Sequence, residues 1–548
     1  MFKWFKSGAP WVWLTGGAVS ISLISVLGLL LLIGWKGLAY FWPAPLYQWQ
    51  DADGKYLIGQ VYSRTWMSTH TIPNASSVLP ESVIASGKVE RLSIKTANRD
   101  LYGMDFVSVL APELYNQTTP AGLVVIERMR GGEFFGDILA LNTPDGAFVT
   151  DIHLRLGEAL ALTQQTQQAI DDIVDRKIRG LGYQLEVMRL KHRKDELNGT
   201  LTSALSEKYQ QQKRIIQQQL AINELELDQL RNTLNSKTLI VADMKGDRVE
   251  VPLSRIVDFW FPNNMTLAEK LTHWSGQVWK FLSDDPRESN SEGGVFPAIF
   301  GTVLLVLIMS VMVMPLGVLV ALYLHEYAEN NWLTRMIRVG VINLAGVPSI
   351  VYGVFGLGFF VYTIGGSIDS LFYAERLPAP TFGTPGLLWS ALTLAILTLP
   401  VVIVTTEEGL NRIPLSARHG SLALGATQFE TIWRIVLPMA SPAIITGLIL
   451  AVARAAGEVA PLMLVGVVKF ASSLPVDAQF PFLHLERKFM HLGFHIYDVG
   501  FQTSNIEAAR PLVYATSFLL VTVVVGLNLT AIAIRNNLRE KYRTLGQD

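Results

Sequence analysis

The chain of 548 residues contains no cysteine. That excludes disulfides, thiolate metal sites and cysteine nucleophiles. It suits a domain outside the cytoplasm without requiring one. No run of the form G-x-x-x-x-G-K-[ST] occurs, so there is no P-loop to hold ATP. No nucleophile and base stand in a convincing constellation. Charge is scarce too: Asp, Glu, Lys and Arg make up 17% of the residues and the net charge is −1, which offers nucleic acid no basic surface. Half of the chain is hydrophobic. For this length the balance reads as an integral membrane protein with a sizeable soluble part and more than one domain.

The apolar runs are long enough to cross a bilayer, which takes roughly 20 residues. The first follows Lys3 and Lys6 and covers about Trp11 to Trp35. It has no small-x-small cleavage site, so a retained helix is expected rather than a signal peptide. Five more spans are predicted at about Phe296–Leu324, Val339–Ile364, Gly386–Thr405, Ala443–Val468 and Pro511–Ile534. Arg335 and Arg338, then Arg412, Arg418 and Arg434, then Arg535, Arg539, Lys541 and Arg543 all fall on the side of the N-terminus. Arg376, Arg487, Lys488 and Arg510 fall opposite. The bias predicts six spans with both termini in the cytoplasm. The expected domains are 1–35 (tip and first helix), 36–294 (extracytoplasmic), 295–534 (membrane, with a cytoplasmic loop at 406–441) and a tail at 535–548.

Region 36–294 opens with strand-like runs: GKYLIGQVYSRTW after the turn Asp51–Gly54, AGLVVIERM, and GDILALNTPDGAFVT around Pro144-Asp145-Gly146. From about 156 to 236 it turns helical, rich in Gln, Glu, Lys and Arg and free of proline until past Leu234. Ile216, Leu220, Leu227, Leu230 and Leu234 are spaced as in a coiled-coil seam, interrupted by Asn223. Gly180, Gly182 and Asn198-Gly199 are candidate breaks, which favours a helical hairpin. TLIVADMKGDRVEVPL then predicts a β-hairpin turning at Lys245-Gly246-Asp247. The fold class expected is a mainly α membrane protein with an α+β extracytoplasmic domain carrying this hairpin, which either packs passively or docks a binding protein or regulator.

Two stretches can carry chemistry. In the run from Ala443, Arg454 and Glu458 are four residues apart, on one helix face. An Arg at mid-membrane costs about 2.5–3.5 kcal/mol on insertion scales, so that face should look into a bundle or a watery path. In NLAGVPSIVYGVFGLGFF, Gly346, Pro348, Gly353 and Gly356 suit close packing or a kinked helix lining a path. His484, Glu486, His491 and His495 fit no compact metal-ligand spacing, so no metal and no cofactor is expected.

The segment from His419 carries a resemblance. Gly425, Ile435, Leu437 and Pro438 keep the spacing of the cytoplasmic loop pattern of ATP-binding-cassette importers, Glu-Ala-Ala, three residues, Gly, nine residues, Ile-x-Leu-Pro. His419, Gly420 and Ser421 stand where Glu-Ala-Ala would be. NLAGVPSIVYGVFGL, ARAAGEVAPL at Arg454 to Leu462, and EYAENNWLTRMIR from Glu326 resemble the PstA-type permease family of bacterial phosphate importers. The likeness covers roughly Phe296 to the C-terminus; short family members lack 36–294.

The resemblance implies a six-helix importer permease in the bacterial inner membrane, with 36–294 in the periplasm. Its implied partners are a second, PstC-like permease, two PstB-like ATPase subunits, a periplasmic PstS-like phosphate-binding protein and membrane lipid. Arg454 and Glu458 would form the substrate pathway. Arg418, His419, Gly425, Glu430, Leu437 and Pro438 would couple to the ATPase. The chain itself would be no enzyme. Import of another oxyanion (molybdate, sulfate), or a membrane-anchored sensor or scaffold whose external domain detects a ligand, are the rival expectations.

Overall fold

The computed structural model describes residues 9–51, 54–72, 79–144, 146–149, 152–287, 290, 292–329, 331–503 and 506–544. Lys3, Lys6, Ala52, Asp53 and Asp145, which entered the topology and turn expectations, lie outside them. So does the end of the tail from 545. The chain forms two compact units. One is Phe41–Trp279; the other joins Met1–Tyr40 to Lys280–Asp548.

The unit Phe41–Trp279 holds two antiparallel sheets and the helical hairpin. The first sheet contains β1 (Tyr47–Gln50), β2 (Tyr56–Ser68), β3 (Lys88–Lys95), β4 (Phe106–Leu110) and β5 (Tyr115–Thr118), in the order β4-β3-β2-β1-β5. The second contains β6 (Leu123–Arg128), β7 (Glu133–Thr143), β8 (Gly146–Phe148), β9 (Thr238–Ala242), β10 (Arg248–Pro252) and β11 (Ile256–Trp260), in the order β10-β9-β7-β6-β11 with β8 on β7. Val124, Ile126, Phe134, Leu141, Leu239 and Val241 form its core with Leu156 and Leu160 of the first hairpin helix. The expected hairpin at Lys245–Asp247 is β9–β10, with Gly246 in the left-handed region at φ 84°. Arg128 is buried, yet its guanidinium is satisfied: it holds Asp100 bidentately at 2.7 and 2.9 Å and donates to the carbonyls of Gly131 and Gly132.

The hairpin differs in detail from expectation. Gly180 and Gly182 break nothing. Helix runs from Ile152 through a π-helical stretch at Ile173–Ile178 to Leu197. The reversal is at Asn198-Gly199, with Gly199 at φ 69°, and the return helix is Ser203–Asn235. The seam is real at the base, where Leu227 and Leu234 are buried against Ile170, Val174 and Ile178.

Among the described residues the other unit carries six helices long and apolar enough to cross a membrane: Trp11–Ala39, Phe296–Tyr327, Ser349–Phe372, Leu387–Asn411, Gln428–Gly457 and Ala509–Asn537. The first packs on the sixth through Gly34 against Phe518 and Gly37 against Ala515. Spans two, four and five share a core of Leu305, Met309, Val313, Leu394, Val402 and Ala451.

Two spans depart from expectation. Val339–Ile364 is not one span. Trp332–Leu344 is a separate helix, the chain turns through Gly346, and Pro348 caps the span that begins at Ser349. Ala443–Val468 is displaced as well. Helix already runs from Gln428 through a π stretch at Ile432–Val436, so Leu437 and Pro438 lie within the helix, ahead of the expected start at Ala443. At the far end it stops at Gly457. Pro461 explains the stop, since it has no N–H for the carbonyl of Gly457 and disfavours helix at Ala460.

Segment 466–493 knits the bundle end at which spans two and four begin. Gly386 and Leu387 donate backbone bonds to Val465 and Arg487, and Val468 donates to Phe489. Leu492 donates to the Thr302 hydroxyl at 2.9 Å. A methyl on Gly301 would land on the Met490 carbonyl, and one on Gly386 on the Glu486 carbonyl.

Candidate functional site

The break in span five and the break before span three meet. Pro461 touches Gly353, where an added Cβ would come within 2.7 Å of the Pro461 Cα. Gly356, one turn on, lies against Thr393 and Val465. Small residues thus let span three lie directly on the Pro461 main chain and on the side chains of Thr393 and Val465. Gly346 and Pro348 shape the preceding turn, which is tied down by the Tyr352 hydroxyl donating to the Leu344 carbonyl at 2.6 Å. Tyr352 and Pro461 were not singled out in the sequence; Pro461, three residues past Glu458, was the available signal.

Arg454 occupies the last turn of its helix and Glu458 the position just beyond it, with φ −80° and ψ 131°. The expectation of two charges stacked on one helix face is therefore corrected: only Arg454 is helical. They still pair, Nε to Oε1 at 3.6 Å, with 33% and 22% of the side chains exposed. A cation at a helix C-terminus is favoured by the helix dipole. The guanidinium presents further N–H donors beyond that single long contact. The arrangement can attract an anion, while Glu458 and the negative helix end oppose holding it.

The second cluster lies in the expected loop 406–441, which the structure divides into the end of span four, the connection 412–427 and the start of span five. Helix Leu415–Ala423 ends in a turn at Gly425, whose φ of 89° disfavours any side chain, and a short helix restarts at Gln428. Arg418 points inward. It pairs with Glu326 of span two at 3.1 Å and donates to the Leu410 carbonyl at 2.8 Å. Glu326 also meets His325 at 2.9 Å, and its carbonyl accepts from Gln428. Glu430 forms a capping box with Thr427. Arg418 and Glu430 thus act within the chain, whereas His419 is exposed. Leu437 packs on Ile413, Val436 and Ala440, and Pro438 is half-buried beside it. The loop also exposes large apolar side chains: Leu424 at 91% exposure, with Phe429 and Trp433 stacked 6.2 Å apart at 67% and 62%. Glu326 was quoted in the sequence for its resemblance, without its role as the hub of this loop.

The four residues considered for a metal have separate roles. His484 lies between Asp477 at 3.0 Å and Glu486 at 3.2 Å. His491 and His495 are buried, and burial pushes both down to about 4. The Asp498 carboxylate raises His495 and the Lys469 ammonium lowers it, both by less than burial does. A histidine depressed in this way stabilises the closed loop fully above its ordinary pKa of 6.5 and loses that contribution as pH falls toward 4. At pH 5 the expected loss is about 2 kcal/mol for each histidine. Hydrogen exchange of residues 484–502, compared at pH 7 and pH 5 after correction for intrinsic rates, should show the protection drop. His495→Asn should remove about half of the drop.

Comparison with known proteins adds a family. Residues 313–543 match the model of the binding-protein-dependent transport system inner membrane component. The phosphate transport system permease protein PstA 1 of Mycobacterium tuberculosis is 34% identical over 244 residues, covering 44% of this chain and 71% of that protein. PstA of Yersinia pestis is 33% identical over 252 residues, covering 46% and 75%. The probable ABC transporter permease protein YqgI of Bacillus subtilis is 30% identical over 258 residues, covering 46% and 81%.

Proposed function

This chain belongs to the family of binding-protein-dependent transport system inner membrane components, and from that premise we infer that it is the membrane-spanning permease subunit of an ATP-driven importer of inorganic phosphate. The observation that carries the solute is the meeting of two helix breaks beside Arg454, combined with relatives named as phosphate permeases. Phosphate is an oxyanion, and the planar donor fork of a guanidinium matches it. Passage needs weak binding, which the opposing Glu458 supplies.

The permease pairs with a second, PstC-like permease. ATP is hydrolysed by two PstB-like subunits, which engage the exposed Leu424, Phe429 and Trp433 around Gly425. A PstS-like protein delivers phosphate to the opposite end. Both termini lie in the cytoplasm, Phe41–Trp279 lies in the periplasm, and the hairpin pairs its helices as a coiled coil. ATPase closure moves the Gly425 loop, Arg418 and Glu326 pass the movement to span two, and the path beside Arg454 opens to one side at a time. The solute is tested by uptake of labelled phosphate into cells whose only phosphate importer contains this chain. Excess unlabelled phosphate should abolish uptake; molybdate and sulfate should leave it unchanged. Competition by molybdate or sulfate at equal concentration would reassign the solute.

A further inference from the structure

The tip of the helical hairpin is unfinished as a packing unit. Helix Arg179–Leu197 buries none of its side chains. In Ser203–Asn235 the buried residues are Leu227 and Leu234, both toward the base. Between the two tip segments runs a groove of ≈ 660 Å³ with Val187, Met188, Leu205, Ile215 and Ile216 in its lining. The groove residues Leu205, Tyr209, Gln212, Ile216 and Gln219 follow alternating steps of four and three, the spacing of a seam, and this seam faces the other hairpin helix, where Tyr209 meets His192 and Asp195. The pairing leaves Val187, Met188, Leu205 and Ile216 only half-buried and Ile215 exposed.

The charges state what kind of helix fits. Lys191 and Lys208 line the groove and are exposed. Neither has a carboxylate at ion-pairing distance among the described residues. Between residues 183 and 219 cations outnumber acids seven to four. Of the acids, Glu186 pairs with Arg189, Glu196 with Arg193, and Asp195 accepts the Tyr209 hydroxyl. A second copy of the tip would bring like charges together. We propose that this groove receives an amphipathic helix of a partner protein, apolar on the face it buries and acidic on its flanks, completing a three-helix layer at the hairpin tip. The proposal holds whatever solute the membrane unit transports.

The test uses the full chain in zwitterionic nanodiscs. Because the chain has no native cysteine, Gln219→Cys gives one site for an environment-sensitive dye. The probe is a synthetic helix of three heptads with leucine on the seam and glutamate on the flanks; the control carries lysine on the flanks. The acidic helix should give a saturable dye shift that weakens with salt. The lysine helix, or the acidic helix against Lys191→Glu/Lys208→Glu, should bind at least ten-fold more weakly. Circular dichroism of that double variant, both of whose side chains are exposed, confirms the helices are intact. Equal binding of the two helices, or no weakening in the double variant, overturns the proposal. So does a dye shift caused by phosphatidylglycerol vesicles but not by the acidic helix, which would make the tip a lipid-surface contact.

Discussion

Replacing Arg454 with Gln is expected to cut phosphate uptake by roughly 10- to 100-fold, the worth of one charge-assisted hydrogen-bonding group. The side chain keeps a donor and much of its length but loses the charge proposed to draw an oxyanion to the meeting of the two helix breaks. Lys at the same position restores charge without the planar fork and should fall in between. Glu458→Gln works in the other direction. It removes the counter-charge 3.6 Å away, so phosphate should be held more tightly, with both KM and maximal rate lowered. Labelled uptake at matched protein levels measures all three. Unchanged transport by Arg454→Gln would remove Arg454 from the pathway.

The second large effect concerns Arg418. Arg418→Met leaves Glu326 against the loop without its main cation, at an expected local cost of about 3 kcal/mol, the low end for a buried pair because each side chain retains 12–16% exposure. Transmission should suffer more than folding. In the assembled transporter, ATP hydrolysis should persist while uptake per ATP falls several-fold. Arg418→Lys should rescue only partly, because one ammonium cannot reach both the Glu326 carboxylate and the Leu410 carbonyl as the guanidinium does. The pair Glu326→Gln/Arg418→Met should cost less than the sum of the single changes, since no orphaned charge remains. Equal losses of ATP hydrolysis and uptake in Arg418→Met would make the contact merely structural.

Much of the membrane unit was legible because apolar length is a strong signal: all six spans lie where long apolar runs lie. Their ends were not. Trp332–Leu344 is apolar on one face and runs straight into the Gly346–Pro348 turn, so composition joins it to the next span. Beyond Glu458 the chain stays apolar past Pro461, and only the backbone reveals that the helix has stopped. Local conformation was legible where a residue type forces it, as at Gly425 and Gly199, both left-handed. Gly180 and Gly182 failed as breaks because flanking helix formers on both sides carry the hairpin through them. Strands β1, β3, β4, β5 and β11 were missed for want of clear alternation; β5, YNQT, is exposed throughout. Arg418 was read as an ATPase-coupling residue without its partner, because Glu326 is remote in sequence and long-range pairing leaves no mark on local pattern.

The lacing of segment 466–493 to the starts of spans two and four has a mechanical corollary. Where main chain rests on main chain with no side chain between, no rotamer can shift to absorb strain. Met490 against Gly301, and Glu486 against Gly386, behave as welds. That rim turns as one casting. The give must then be found at the opposite end, where Gly340, Gly420 and Gly425 face open space and where the motor of a transporter would push.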